Sequence, residues 1–360
     1  MTGGDPGGPV ALGLRFRGRG GEYFRIWVVN VALSLLTLGI YSAWAKVRTR
    51  RYFYGCTSLD GVSFEYTADP VKILKGRILV VGFLAIYSLS GRFLPLVNGL
   101  LGLAALFLIP WVANRALAFN ARYSSYRGLP FAFHGVYGEA FLAYIALPAA
   151  ALLTLGLLYP YAVYRRKRYA VSRSAYGASR FRFDARPGQF YRIYLVAAGL
   201  AVGVAIAATV LLALGTGALA AWLVGPGGEV AAETVPEVAQ ALSAVGMVTI
   251  YAVAGLVVWV WVQVAVANCT YSHAAIGGNR LELRLRYGPM LWIQLSNLVL
   301  VVASLGLWIP FARVRLARYR LERMRLLAVE DLDHHLAAER AEYAATGAEL
   351  GEAFDLDLGL

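Results

Sequence analysis

Three times along the chain an apolar run stops at a glycine and restarts among arginines. Leu36-Thr37-Leu38-Gly39 leads into Trp44-Ala45-Lys46-Val47-Arg48 and Arg51-Tyr52. Leu153-Thr154-Leu155-Gly156 leads into Pro160-Tyr161-Ala162-Val163-Tyr164-Arg165 and Arg168-Tyr169, and Ser304-Leu305-Gly306 into Pro310-Phe311-Ala312-Arg313-Val314-Arg315 and Arg318-Tyr319. Glycine accepts the left-handed backbone that ends a helix. Four residues on stand Ala43, Pro160 and Pro310, and proline suits the first turn of a new helix. The pattern predicts an apolar helix, a break at Gly39, Gly156 or Gly306, and a basic helix. Each first arm, such as 24–38, is about 15 residues or ~22 Å long, short for crossing ~30 Å of hydrocarbon.

Period-two alternation precedes each arm, at 14–17, 131–134 and 281–286, and predicts strands. Asp60-Gly61, between 57–59 and 62–66, has the chemistry of a tight hairpin turn. Residues 180–183 repeat the returning strand, whereas 313–345 reads as one long charged helix that replaces it in the third copy. Such strands are expected in a small sheet at the membrane surface, because open sheet edges cannot face lipid. A shift of 117 residues lays Phe16, Gly18, Gly21, Glu22 and Phe24 on Phe133, Gly135, Gly138, Glu139 and Phe141. Asn30 and Gly39 fall on Asn297 and Gly306, and Asn120-x-x-Tyr123-Ser124 echoes Asn268-x-x-Tyr271-Ser272. The expected organisation is a disordered start (1–12), unit 1 (13–73), paired spans (74–129) and unit 2 (130–190). Then come paired spans with an acidic loop at 225–237 (191–279), unit 3 (280–326) and a charged tail (327–360).

Composition turns this pattern into a class. Hydrophobic residues make up 59% and charged residues 15% of the chain, with mean hydropathy +0.58, against ~45–50% and ~25% in soluble domains. Residues 193–228 and 238–275 carry no charged side chain, which predicts a polytopic membrane protein. The net charge of +13 fits positive-inside topology, since every basic cluster abuts an apolar run; nucleic acid is not an expected partner. If every apolar run crosses, there are seven spans and the basic units alternate sides. If the three units dip and return, four segments cross, about 74–91, 94–114, 191–224 and 239–268. Then all Lys and Arg but Arg92, 33 of 34, share one face. The second arrangement is favoured. The expected fold is therefore an all-α polytopic membrane protein with internal repeats and short surface strands. Four helices cross beside three broken re-entrant or interfacial units, with seven transmembrane helices as the alternative. The start lacks a basic n-region, so no cleavable signal peptide is expected.

Several of these residues also carry a resemblance. Phe16-x-Gly18, Gly21-Glu22-Tyr23-Phe24, Thr37-Leu38-Gly39-Ile40-Tyr41-Ser42-x-Trp44-Ala45-Lys46-Val47-Arg48, Arg50-Arg51-Tyr52-Phe53-Tyr54-Gly55 and Leu59-Asp60-Gly61 resemble the YjgN-like family of bacterial inner-membrane proteins. Ala43 departs from the proline expected there. The resemblance implies an inner-membrane location and brings no activity, substrate or catalytic residue with it.

Candidate chemistry is sparse. No nucleophile-elbow, P-loop, zinc-protease or dinucleotide motif is present, so neither an enzyme nor a cofactor is expected. Cys269 and His273 share a helical face without completing a metal set, and two distant cysteines suggest no disulfide framework. Glu22 and Glu139 suit helix N-termini. Amides at apolar positions usually bridge helices, yet Asn30, Asn297, Gln263 and Asn268 are the candidates for a polar pathway. Lys46, Arg48, Arg50, Arg51, Arg165, Arg166, Lys167, Arg168, Arg313, Arg315 and Arg318, interleaved with aromatics, are candidate contacts to anionic lipid. Two functions follow as expectations. One is a transport or channel protein with broken helices around a polar path. The other is a non-transporting module that binds anionic lipid and organises the bilayer or a partner. The basic loops and C-terminus are expected in the cytoplasm.

Overall fold

The computed structural model describes residues 10–224 and 235–329. In chain order the first elements are β1 (Val10–Phe16), α1 (Gly20–Leu36), α2 (Ser42–Gly55), β2 (Thr57–Leu59) and β3 (Val62–Tyr66). Next are α3 (Pro70–Phe93), α4 (Pro95–Arg122), β4 (Ser124–Tyr126) and β5 (Leu129–Phe133). α5 (Tyr137–Leu153) has one wide turn at Leu142–Ala146, and is followed by α6 (Tyr159–Ser172), β6 (Ser174–Tyr176) and β7 (Ser179–Phe183). The chain then runs through α7 (Pro187–Val224), α8 (Val235–Ser272), β8 (Ala274–Ile276), β9 (Asn279–Leu283), α9 (Tyr287–Ala303), α10 (Ile309–Leu321) and β10 (Met324–Ala328).

The all-α expectation is overturned. Ten short antiparallel strands close into one barrel, each hydrogen-bonded to its chain neighbours, with β10 pairing β1 from Val10↔Ala328 to Gly13↔Arg325. Closure satisfies the backbone groups that an open surface sheet would leave at its edges. The long helix expected over 313–345 is corrected too. α10 ends at Leu321, and Met324–Ala328 forms the tenth strand between β9 and β1. Its Met324, Leu326 and Ala328 alternate with Arg325 and Leu327, and without it two barrel edges would stay unpaired. The remainder of that proposed helix, with most of the acidic loop and the tail, lies outside the described residues.

Four tight turns join strands at one end of the barrel. Asp60-Gly61 and Arg127-Gly128 take positive φ at both residues (49° and 77°, 48° and 80°), the geometry that matches strand twist in a two-residue hairpin. At the other end every connection is a pair of helices. Phe16 faces Thr57, Tyr66 faces Ser124, Phe133 faces Ser174 and Phe183 faces Ala274. Arg284 N–H donates to Arg323 O at 3.3 Å beyond the pairing of β9 and β10. Each helix pair therefore leaves and re-enters the barrel rim at adjacent strands, so all five are out-and-back hairpins.

Two hairpins are long. α3–α4 and α7–α8 supply four helices long and apolar enough to cross a membrane, Pro70–Phe93, Pro95–Arg122, Pro187–Ala218 and Ala244–Ser272. Three are short arms, α1–α2, α5–α6 and α9–α10, with first helices of 17 residues in arms 1 and 3, ~25 Å at 1.5 Å per residue.

Every strand contributes to the barrel interior. Leu59, Tyr126, Leu129, Tyr176, Ile276 and Leu326 form its buried core, with Leu12, Leu14, Phe64, Phe131, Phe181 and Leu281 against them. The Tyr126 hydroxyl donates to Leu59 O (2.8 Å) and that of Tyr176 to Tyr126 O (2.9 Å). The axis is filled by side chains, the usual state of a narrow barrel.

Candidate functional site at the feet of the helical arms

The three arms are built by the same local chemistry. At each tip two consecutive residues are left-handed: Leu38 and Gly39 (φ 50° and 91°), Leu155 and Gly156 (51° and 88°), Leu305 and Gly306 (51° and 92°). The glycine N–H reaches back to Ser34 O (2.7 Å), Ala151 O (2.7 Å) or Val301 O (2.8 Å), satisfying a carbonyl at the helix end. A hydroxyl stitches the outgoing helix to the returning one. Thr37 Oγ1 accepts from Tyr41 N–H (2.9 Å), Thr154 Oγ1 from Leu158 N–H (3.2 Å) and Ser304 Oγ from Trp308 N–H (2.9 Å). The tip leucines Leu38, Leu155 and Leu305 are 96%, 96% and 95% exposed. Polar backbone satisfied internally beneath a fully exposed apolar tip is the condition for lying in hydrocarbon.

A tyrosine locks each foot. The Tyr52 hydroxyl accepts from Arg19 N–H (2.8 Å) and donates to Arg19 O (2.9 Å). Tyr169 does the same with Val136 (3.1 and 3.2 Å), and Tyr319 with Arg286 (3.0 and 3.0 Å). Arg19, Val136 and Arg286 each cap the first helix of their arm. Burial pushes the Tyr52 phenol up to about 12, so it stays protonated and able to donate. In the sequence the tyrosines read only as interfacial aromatics among the arginines, and the tip hydroxyls carried no role. Their signal was present, as a tyrosine four residues after a basic residue and a hydroxyl two before the glycine in each copy.

The basic residues collect along the second arm helices. Arg50 donates to the Tyr66 hydroxyl (3.0 Å) and to Asn120, with its guanidinium 5.2 Å from the Tyr66 ring centre. Arg51 donates to Tyr66 O and Ala68 O, both at 3.3 Å. Arg168 reaches the Tyr164 hydroxyl (3.3 Å), Arg313 that of Tyr23 (3.2 Å) and Arg318 Gly18 O (2.8 Å). Arg315 donates to Ser296 (3.2 Å) and Asn297 Oδ1 (2.9 Å). Lys46 and Arg48 are exposed on α2, and Arg165 and Arg166 lie on α6 with Lys167. Partial desolvation of its stem, then Arg50 and Arg77, lower the Lys46 ammonium although its surface is open; burial, then Arg166, lower that of Lys167. None of these eleven forms an ion pair with a carboxylate among the described residues. Beside them, at the foot of arm 2, Arg173 pairs with Glu139 (Nε–Oε2 2.9 Å), which holds that carboxyl below its usual range.

Two clefts open on this face. One of about 220 Å³ lies between α5 and α6, bordered by Arg165, Arg168, Tyr169 and Ser172. The other, about 400 Å³, is bordered by Arg315, Arg318 and Tyr319 of α10, by Glu322 just past its end, and by Gly20 and Ile293. The spacing Arg-x-x-Arg-Tyr is the same in both.

The four amides do not meet in one place. Asn268 bonds Leu285 N–H (2.8 Å) and O (2.9 Å), fixing the backbone between β9 and α9. Gln263 accepts from Arg320 (2.7 Å), and Asn297 accepts from Arg315 inside arm 3. Asn30, 5% exposed, has no partner for either amide atom. His273 is engaged at both ring nitrogens, by Cys269 O (2.8 Å) and Gln189 (3.0 Å). No group of three or more His, Cys, Asp or Glu able to hold a metal occurs among the described residues.

Sequence comparison places the chain near bacterial membrane proteins. Inner membrane protein YjgN of Salmonella typhimurium is 33% identical over 143 residues, 39% of this chain and 36% of that protein. Inner membrane protein YjgN of Escherichia coli O157:H7 is 34% identical over 120 residues, 33% of this chain and 30% of that protein. The chain thus matches about a third of the length of these curated relatives. No solved structure matches it. The family model that does match covers residues 11–353, so the chain belongs to DUF898, the family described as bacterial protein of unknown function.

Proposed function

We propose that this is a multi-pass inner-membrane protein that does not transport, and that grips lipid headgroups around a plugged barrel to organise the surrounding bilayer. The observation that carries the reading is the filled barrel interior, to which all ten strands contribute apolar side chains. A solute path along the axis would have to displace that core. The uncompensated arginines and lysines on the arms supply the grip, each basic side chain at an anionic surface contributing ~1 kcal/mol. Names of the relatives and the four crossing-length helices support the location. The basic belt supports a cytoplasmic barrel by the positive-inside rule.

Vesicle reconstitution tests this. The full chain in phosphatidylcholine vesicles should gain thermal stability when phosphatidylglycerol is added, and salt should reduce the gain. No difference between the two compositions would overturn the lipid-gripping role. One observation favours the transport reading, the unpartnered amide of Asn30. Solute or ion flux above that of protein-free vesicles, lost on Asn30→Leu, would replace the present proposal with it.

A further inference from the structure

The cleft between α10, α9 and the start of α1 carries a charge pattern that a purely anionic ligand does not explain. Trp308, Phe311, Arg315, Arg318 and Glu322 border it at spacings of three and four along α10, which places them on one helical face. Trp308 and Phe311 stand nearest the tip in the sequence, Arg315 and Arg318 follow, and Glu322 stands next to β10 of the barrel, with Ile293 of α9 also bordering the cleft. The stripe runs apolar, cationic, anionic over the 15 residues 308–322, ~21 Å from first to last at helical rise.

Depth matches this order. Gly306 turns the arm at its exposed apolar tip, and Arg315 stands nine residues back, ~14 Å along the helix. Half of a ~30 Å hydrocarbon layer is ~15 Å. With the tip near the midplane, Arg315 and Arg318 lie where phosphates lie, Trp308 and Phe311 lie among acyl chains, and Glu322 lies at the aqueous edge. The two arginines retain donors beyond those given to Ser296, Asn297 and Gly18. Glu322 is exposed and in no ion pair among the described residues.

We propose that this cleft is a binding site for one aminophospholipid, its phosphate on Arg315 and Arg318, its ammonium on Glu322, and its chains along Trp308, Phe311 and Ile293. This rests on the membrane-embedded, lipid-holding reading above and adds to it a headgroup preference. Phosphatidylglycerol would bring no cation to Glu322, and the choline of phosphatidylcholine has no N–H to donate. A volume of about 400 Å³ falls in the range of small-ligand pockets, enough for a headgroup and the start of its chains. The corresponding cleft of arm 2 has Ser172 where arm 3 has Glu322; its own carboxylate, Glu139, is paired with Arg173, so it offers an amine no unpaired carboxylate.

Native mass spectrometry of the full chain in neutral detergent, with added dioleoyl phosphatidylethanolamine, phosphatidylglycerol or phosphatidylcholine, tests the assignment. Wild type should retain one phosphatidylethanolamine at least about tenfold more tightly than either competitor, the scale of one charge-assisted hydrogen bond. Glu322→Gln, an exposed change that leaves the fold alone, should erase that preference while phosphatidylglycerol binding stays or improves. Arg318→Gln should weaken both lipids, and Ile293→Trp, which fills the apolar end and keeps every charge, should weaken both as well. Glycerophosphoethanolamine, the same headgroup without chains, should fail to compete. Competition by it at equal concentration would assign a soluble phosphoamine ligand instead and overturn the lipid. An ethanolamine preference that survives Glu322→Gln, or a wild type favouring phosphatidylglycerol, would also overturn the proposal. In the latter case the broader reading survives if anionic vesicles still stabilise the protein.

Discussion

Tyr52, Tyr169 and Tyr319 each bind both the N–H and the C=O of a helix-capping residue 33 positions earlier, so one hydroxyl fixes the angle at which an arm leaves the barrel. Removing it deletes two hydrogen bonds at a solvent-reachable foot, each worth ~0.5–1.5 kcal/mol net. Tyr319→Phe should lower the thermal midpoint measurably in detergent, whereas Tyr41→Phe, whose ring stacks on Trp44 near a tip, should leave it near wild type. Equal effects would mean the foot bonds contribute nothing. Glu139 offers a pH counterpart. Its folded carboxyl is held low, first by the Arg173 hydrogen bond, so its contribution is present above the ordinary carboxylate range and is lost as pH falls through the lowered folded value. The side chain is 42% exposed, which makes the contribution small through solvent screening. Unfolding followed across pH 3–6, a span of about one unit or more either side of the usual carboxylate pKa, should be flatter for Glu139→Gln than for wild type. At this scale the residues were visible in the sequence and their partners were not. Nothing local in the shared Arg-Tyr pair predicts that a tyrosine reaches back 33 residues, since only the folded arm on its barrel brings those segments together.

Among elements, the breaks and the four long helices were legible, because glycine, proline and charge-free length act locally. The strands were legible only where they alternate. Thr57–Leu59 and Val62–Tyr66 flank Asp-Gly, but Ser124–Tyr126, Ser174–Tyr176 and Ala274–Ile276 are three residues each, too short for a period to register. β10 was hidden by the arginines around it, whose charge reads as solvated helix until a partner strand on each side requires Met324–Ala328. The breaks carry the clearest test. Gly156 has φ 88° and open space around its missing Cβ, whereas Gly203 lies within α7, also with open space and without a positive φ. Packing is thereby removed as an explanation. Gly156→Val should lose ~1–3 kcal/mol through backbone strain alone, and Gly203→Val should change stability little, because valine is no worse a helix former than glycine. Pro160→Ala should be milder, since Ala43 fills the matching place in arm 1. Comparable losses from both valine changes would place Gly156 in ordinary helix.

For the molecule as a whole, the barrel puts every hairpin on one side with no appeal to charge, while the proposal of a cytoplasmic barrel rests on the basic residues. All five hairpins leave the same rim, so the four tight turns and the strand ends at Val10 and Ala328 share the opposite end. If the long hairpins cross once out and once back, the Phe93–Pro95 connection is the part of α3–α4 that reaches the far face, and it adjoins Arg92, the single basic residue the charge count left there. Closure was beyond sequence reading because it depends on β1 meeting β10, more than 300 residues apart, and no local pattern encodes that contact. The consequence is testable in cells. In a background lacking Cys56 and Cys269, single cysteines at positions 60, 128 and 278 should all react with an impermeant maleimide only after the membrane is opened. A cysteine at position 94 should react in intact spheroplasts. Position 38, at an arm tip, should resist the reagent from either side, because a half-depth arm keeps its tip in hydrocarbon, where the thiolate that attacks maleimide scarcely forms. Ready labelling of position 38 from outside would show arm 1 crossing the bilayer, and would move the filled barrel and the arms' basic feet into a seven-span protein.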